Sequence, residues 1–461
     1  DHAAAPEAAL VQARLTQVRT AARSRDATLA QYREALKAKE WERAWQLGST
    51  LVRNHPDLLQ GGQVTLPLVI ESLPTGAAVS LDGKAIGTTP MVHAQIPGVA
   101  GELRVALPGY RPNVRSTSEA ANDWRWRVEL LREPVWTLEL GHGVGLLHPI
   151  PGGFFVHSAE TVQMVGRDGR PGWKFRATAG DDLIEGARVR LAHPPIELGD
   201  GRIAFGLSDH NLVILDAAGS LVREIRTESA VRGRPQTYAN EILGGGRRLA
   251  FGAEQLQVGP LDGALTAIDV GSPVLSGPLA YANDLDRLMV TATLDGKLVG
   301  SEESTHKRLW SIDLLATDVA QLVPLGRDAL VCVLDGSRIA CYQAGPTGAA
   351  ERWRAKLDEP AIGNPVIAAD GSVLLAAGAR ILRFRPDGTP LPPLQLPSPV
   401  TGSIALDGDI LAVGSKGHLS VFRAGQLAWS TVLPAPVTAV AVTTGLVAAG
   451  LADGKLLAFS P

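Results

Sequence analysis

Few residues in this chain are of the kind that do chemistry, and their spacing decides what each can do. Cys332 and Cys341 flank the turn Leu334-Asp335-Gly336-Ser337. If Gly336-Ser337 is a two-residue loop, the cysteines face each other and the geometry permits a cross-strand disulfide; if Asp335-Gly336 is the loop, they sit diagonally. The competing role for both is that of small buried hydrophobes. With no His or third Cys nearby they make a poor metal site. His142 and His148 lie in a Gly-rich run, His193 precedes Pro194-Pro195, and His210, His306 and His418 fall in loops, so they read as surface or hydrogen-bonded loop histidines and not as a ligand set. The acids Asp284-Asp286 and Glu302-Glu303 lack the Asp-x-Asp-x-Asp-Gly pattern of a calcium loop and read as solvated. Gly244-Gly245-Gly246-Arg247-Arg248 lacks the Lys-Ser/Thr of a phosphate loop and reads as a hairpin turn. No Gly-x-Ser-x-Gly elbow, Cys-His nucleophile arrangement or kinase motif occurs. No enzymatic activity of this chain, no metal and no cofactor are therefore expected.

What remains is Trp124-Arg125-Trp126-Arg127. Alternation along a strand puts Trp124 and Trp126 on one face, and Trp and Arg commonly anchor protein interfaces. The segment is the candidate interface; the alternative is that this face packs onto a domain core or onto the C-terminal region.

Composition narrows the setting. The 44 Lys+Arg and 47 Asp+Glu among 461 residues give a formal charge of −3, which disfavours a nucleic-acid partner. No run approaches the roughly 20 apolar residues of a membrane span, and no charged-then-apolar signal segment opens the chain. Two cysteines exclude a disulfide-dense scaffold. A chain that begins at Asp1 is expected to follow a leader or a larger N-terminal region, through which any membrane association would come.

The elements that carry these residues fall into three regions: 1–60, 64–133 and 134–461. Residues 1–57 hold no Gly before Gly48 and show an apolar stripe at Leu10, Leu15, Val18 and Ala22, then, after an interruption at Ser24-Arg25-Asp26, at Leu29, Tyr32, Leu36 and Ala38. Two or three helices are expected. The stretch Tyr32 to Ala44, continued by Leu47 and Leu51 and stopped at His55-Pro56-Asp57, resembles one tetratricopeptide-type hairpin, which must rest on a further surface because such units stabilise one another by stacking.

From Val64 the period becomes that of short strands, with turn chemistry at Pro74-Thr75-Gly76, Asp82-Gly83 and Pro97-Gly98. Ser72-Leu73-Pro74-Thr75-Gly76-Ala77-Ala78-Val79, Leu81-Asp82-Gly83, Gly87-Thr88-Thr89-Pro90 and Pro108-Gly109-Tyr110 together resemble a PEGA domain over about 68–132, with Pro-Thr-Gly-Ala in place of Pro-Glu-Gly-Ala. The resemblance implies an extracytoplasmic or surface module of a bacterial protein, with no enzymatic role.

From Pro134 onward Asp-Gly recurs nine times, mostly between apolar runs, as hairpin turns do. Trp136, Trp173, Trp310, Trp353 and Trp429 stand in strand-like runs whose separations are near multiples of roughly 40–45 residues, the length of a four-stranded propeller blade. The unmarked positions then fall near Arg223-Glu224-Ile225, Leu265 to Ile268 and Leu391 to Leu394. The last segment has three strand-like runs, and Val135 to Leu138 can supply the fourth. The expected fold is mainly β, an eight-bladed β-propeller (alternatively seven-bladed) closed by pairing of strand 135–140 with the C-terminal strands. This pattern resembles the pyrroloquinoline-quinone-type repeat. That family includes quinone-dependent dehydrogenases, whose adjacent Cys-Cys pair is absent here, and propellers without cofactor such as a lipoprotein that assists outer-membrane β-barrel assembly. His142-Gly143 and Asp181-Asp182 are the residues that a site on the ring axis would draw on.

The combination of helical hairpin, PEGA domain and quinoprotein-like propeller resembles the ectodomains of membrane-anchored bacterial Ser/Thr kinases. It implies a non-catalytic extracytoplasmic binding or scaffold protein with protein partners. The alternatives are a structural subunit of a cell-envelope complex and a degenerate propeller enzyme with its site in the central channel.

Overall fold

The structure, a computed structural model, describes residues 4–461 except 61, 121, 159–160, 177–190, 192, 209 and 284–285. It divides into two compact units, Asp1–Glu133 and Pro134–Pro461.

In the first unit, α1 (Ala4–Lys37) runs unbroken through Ser24-Arg25-Asp26, where an interruption is expected from sequence. Helix-disfavouring side chains are satisfied locally there: Thr28 Oγ1 donates to Ser24 O and Arg25 Nη2 to Asp26, both at 2.9 Å. The helix ends instead near Lys39, which takes φ 60°, with Glu40 N donating to Ala35 O in a Schellman-type cap. Leu29, Tyr32 and Ala35 are buried against α2 (Trp41–Asn54), whereas Leu10, Leu15 and Val18 are exposed. A short helix α3 (Pro56–Gln60) follows. The hairpin leads into β1 (Leu66–Leu73), and Tyr32 Oη donates to Thr65 O at 2.7 Å.

Strand β1 pairs antiparallel with one later strand, Met91–Gln95, and parallel with another, Arg125–Glu129. A second sheet is built from Ala78–Leu81, Lys84–Thr88, Glu102–Ala106 and Asn113–Ser116. Asp82 and Gly83, both at positive φ, form the two-residue turn between its first two strands, as the Asp-Gly signal requires. Leu68, Ile70, Val79, Val105, Trp126 and Val128 share one buried cluster in this β part.

Among the described residues the second unit holds eight four-stranded antiparallel sheets, each with its strands in sequence order: residues 144–176, 196–226, 236–268, 274–313, 323–356, 361–395, 400–432, and last 437–459. The eighth takes its fourth strand from Trp136–Glu139, with Leu456 opposite Leu138. All nine Asp-Gly pairs turn the chain within a sheet. Strands such as Ala329–Leu334 and Leu446–Leu451 are buried at every position, as expected where both faces of a sheet are covered. Fourth strands such as Leu221–Arg226 carry exposed positions that alternate with half-buried ones.

Each sheet packs on the next through an apolar seam. Phe155 and Phe205 join sheets one and two, and the series continues through Ala204 with Phe251, Val258 with Met289, Val290 with Leu330, Val331 with Leu375, Ala376 with Val413 and Val421 with Val447. An eighth seam joins Phe154 and Val156 of sheet one to Ala441 and Ala448 of sheet eight. A second contact reinforces these seams. Trp136, Trp173 and Trp353, each in the fourth strand of one sheet, lie so close over Gly169, Gly219 and Gly388 in the last turn of the next that a Cβ on any of these glycines would overlap the indole. The Nε1 of Trp136, Trp310 and Trp353 donates to the carbonyls of Arg167, Gly345 and Pro386 at 2.8–2.9 Å. In sheet two, where no Trp stands, Arg223 donates to Leu261 O and Gly263 O of sheet three. The three unmarked positions read from sequence all fall in fourth strands.

Two expectations are corrected. Leu334 pairs with Arg338, so the loop between Cys332 and Cys341 has three residues, Asp335-Gly336-Ser337. That single-residue difference from either two-residue loop turns the thiols to opposite faces. Cys332 packs toward sheet four and Cys341 toward sheet six, both free and buried, and no disulfide joins them. Of the acids expected in solvent, Asp286 and Glu303 are buried. Glu303 receives hydrogen bonds from Arg248, Tyr238 and Asn240; Asn240 also donates to Asp286, which accepts from Ser304 N. Asp284 lies outside the described residues.

The Trp-over-glycine contact gives a stability test. Gly388→Ala meets a left-handed backbone cost of roughly 1–2 kcal/mol and a further 1–3 kcal/mol or so from displacing the Trp353 ring. Gly408→Ala, at φ +58° with open space around it, meets only the first. Urea denaturation of the two full-chain variants is expected to rank G388A clearly below G408A.

Candidate functional site

The strand that carries the candidate interface, Arg125–Glu129, alternates in burial. Trp126 is only 7% exposed and belongs to the buried cluster with Val128 and Leu130. Arg125 points the other way and clamps Glu71 with two hydrogen bonds, at 2.9 and 2.8 Å. Arg127, exposed, reaches the same carboxylate at 3.2 Å. The register explains the grouping, since Glu71 lies opposite Arg127 and two positions from the partner of Arg125. The Arg125 hydrogen bonds hold the Glu71 carboxyl below its ordinary range, against the opposing effect of partial burial.

Trp124, just before the strand, is half-buried, with the Arg125 guanidinium 5.6 Å from its ring centroid. It lines an open cleft with Lys39, Trp41, Glu42, Arg43 and Gln46 from the start of α2. The left-handed turn at Lys39 brings Trp41 here, and Glu40 and Arg43 pair on its rim at 3.0 Å. The structure thus separates the four residues: Trp126 serves the core, Arg125 and Arg127 hold Glu71, and Trp124 joins Trp41 in an accessible aromatic surface that the strand alone does not reveal.

In the second unit the first strands of several neighbouring sheets touch one another, and polar residues gather where they meet. His148 stands in Val144–Ile150, His193 and Arg234 precede the first strands of sheets two and three, Ser276 lies in Val274–Asn283, Gln321 precedes Val323–Leu325, and Asn364 lies in Ala361–Ile367. All but His148 border one cavity of about 140 Å³. His193 is 4% exposed and sits hydrogen-bonded in a loop, the second of its two expected settings; His148 lies in a strand and is half-buried, which corrects its reading as a surface or loop histidine. His193 Nδ1 donates to Pro194 O at 3.0 Å, leaving Nε2 a buried acceptor without a partner. Arg234 Nη2 donates to Pro195 O at 3.2 Å, and its buried Nε has no partner. Gln321 and Asn364 bond each other, and Ser276 Oγ accepts from Leu322 N. Burial, and secondarily the charge of Arg234, pushes His148 down to about 4. Burial brings His193 to about 4 as well, with the Pro194 bond opposing the shift and Arg234 adding to it. Both rings are neutral at pH 7.

His142 is exposed, and Asp181 and Asp182 lie outside the described residues. Among the described residues no group of three or more His, Cys, Asp or Glu is placed to hold a metal ion. Sequence reasoning missed Arg234, Ser276, Gln321 and Asn364. The available signal was their phase: each stands at or just before the start of successive repeats, polar where the inner strands are otherwise apolar.

Residues 65–124 match the model of the PEGA domain. No curated protein sequence matches the chain. Solved structures similar to it include the computationally designed Ika8 protein, at 16% identity and TM-score 0.56 over 71% of this chain and 100% of that one. They also include BamB from Moraxella catarrhalis (16%, TM-score 0.50, 71% and 99%) and Saccharomyces cerevisiae Sqt1 (14%, TM-score 0.54, 70% and 98%). At these identities the likeness is one of fold. The PEGA domain read from sequence is present, and the repeated four-stranded sheets and these neighbours support the propeller-type repeat.

Trp126 and Trp124 differ in what their loss would do. Trp126→Ser is expected to cost the first unit about 3–5 kcal/mol, as loss of a buried large aromatic does, while Trp124→Ser leaves its denaturation midpoint nearly unchanged. For His193, the folded value of about 4 lies below the unfolded one. The unfolded chain therefore binds the extra proton, and stability falls as pH drops from about 6.5 toward 4, by on the order of 3 kcal/mol. His193→Gln should flatten the decline in thermal midpoint across that window.

Proposed function

We propose that this is a non-catalytic binding protein of the bacterial cell envelope. On this reading the eight sheets are the blades of a closed propeller, and the helical hairpin with its PEGA fold offers the Trp41–Trp124 cleft to a protein partner. The observation that carries the binding role is that cleft: two half-buried tryptophans, with Lys39, Glu42 and Arg43 around them, on an open surface. Aromatic and Arg side chains in such settings anchor interfaces. Closure is supported by the seam between sheets eight and one and by the pairing of Trp136–Glu139 with Lys455–Phe459, since a closed ring leaves no bare sheet face or long edge. The PEGA match supports an extracytoplasmic setting. No helix among the described residues is long and apolar enough to cross a membrane, so any anchoring as a kinase ectodomain would come from a segment outside this sequence.

A photo-crosslinking amino acid placed at position 124 in the native cell tests the reading, with position 114, an exposed valine of the same unit, as control. A discrete protein adduct from 124 in the envelope fraction, absent from 114, is expected. Adducts from neither position, or exclusively cytoplasmic adducts, would overturn it.

A further inference from the structure

Among the described residues of the second unit, Arg234 borders a cavity with its Nε unpartnered. Some guanidinium groups of this unit meet carboxylates, Arg248 at Glu303 and Arg202 at Asp200 and Asp262, and others, such as Arg223, spread two hydrogen bonds over backbone carbonyls. Arg234 forms no ion pair with any described residue. It has one long hydrogen bond to a backbone carbonyl, and its Nε lacks any partner. Burial alone lowers its pKa, the sign of a charge removed from water without compensation. A half-buried guanidinium with no carboxylate beside it is suited to take an anion as its partner.

The described residues around the cavity supply no negative charge. The two histidines near Arg234 are neutral, and Ser276, Gln321 and Asn364 offer uncharged hydrogen-bonding groups around the same space of about 140 Å³. At roughly 30 Å³ per water, that space suits a molecule of about four or five non-hydrogen atoms. The guanidinium fork matches planar or tetrahedral oxygen pairs.

We infer that the cavity where the first strands of sheets two to six converge is a binding site for a small free oxyanion, a carboxylate or phosphate, with Arg234 as its charge partner. Asn364, Gln321 and Ser276 supply polar contacts around it. The site is independent of the Trp41–Trp124 cleft.

The test uses the full chain in chloride buffer at pH 7, titrated with inorganic phosphate and acetate and followed by calorimetry and thermal midpoint. At least one of these anions is expected to bind saturably and raise the midpoint beyond what equal ionic strength of chloride produces. Arg234→Met should lose that response at least tenfold while its anion-free midpoint stays equal to or above that of the parent, because a half-buried charge with no carboxylate partner among the described residues has been removed. Arg234→Lys, which keeps the charge but not the fork, should retain a weakened response and covers the case in which the Met variant fails to fold. Phosphate alone responding assigns a tetrahedral ligand, and acetate alone a planar one. No saturable response in the parent, or an equal response in the Met or Lys variant and the parent, would overturn the inference. So would a Met variant that folds but loses stability in anion-free buffer, since Arg234 would then be a structural strut.

Discussion

A four-stranded sheet whose two faces are both apolar is stable only between neighbours, and a finite stack of such sheets always leaves two faces bare. The second unit meets this constraint by bringing its last sheet against its first, through Phe154 and Val156 on one side and Ala441 and Ala448 on the other. Everything else in that unit follows from it. Strands such as Ala329–Leu334 are buried throughout, fourth strands such as Leu221–Arg226 carry the exposed positions, and a tryptophan or arginine reaches from several fourth strands to the last turn of the next sheet.

That constraint also explains what could be read from the chain before folding. The Asp-Gly turns and the spaced tryptophans mark the repeat because turns and outer strands impose local chemistry on each unit. The three positions without tryptophan could be located by interpolation for the same reason. Register was not legible: two-residue and three-residue loops at Asp335-Gly336-Ser337 use the same residues, yet only the observed one sends Cys332 and Cys341 to different seams. The buried pair Asp286 and Glu303 was also hidden, since an acid's burial depends on Arg248 and Asn240, which stand in another repeat.

The candidate sites differ in the same way. Alternation expects Trp124 and Trp126 on one face, but the strand begins at Arg125, so Trp126 alone enters the core, and Trp41 joins Trp124 only because the chain turns left-handed at Lys39. The group of His193, Arg234, Ser276, Gln321 and Asn364 around one cavity comes from five repeats. No stretch of sequence holds two of them at motif spacing, apart from their common phase.

The pairing of Trp136–Glu139 with Lys455–Phe459 has a consequence for synthesis. At about 5–20 residues per second, the earlier strand waits some tens of seconds for its partner to emerge. During that interval the first sheet lacks its neighbour and the early strand has an open edge. The small N-terminal unit, whose internal contacts all lie within the first third of the chain, has no such delay. A chain interrupted late in translation would therefore release a finished N-terminal unit attached to an adhesive, incomplete stack of sheets, which makes the final five-residue strand the step on which quality control of the whole molecule turns.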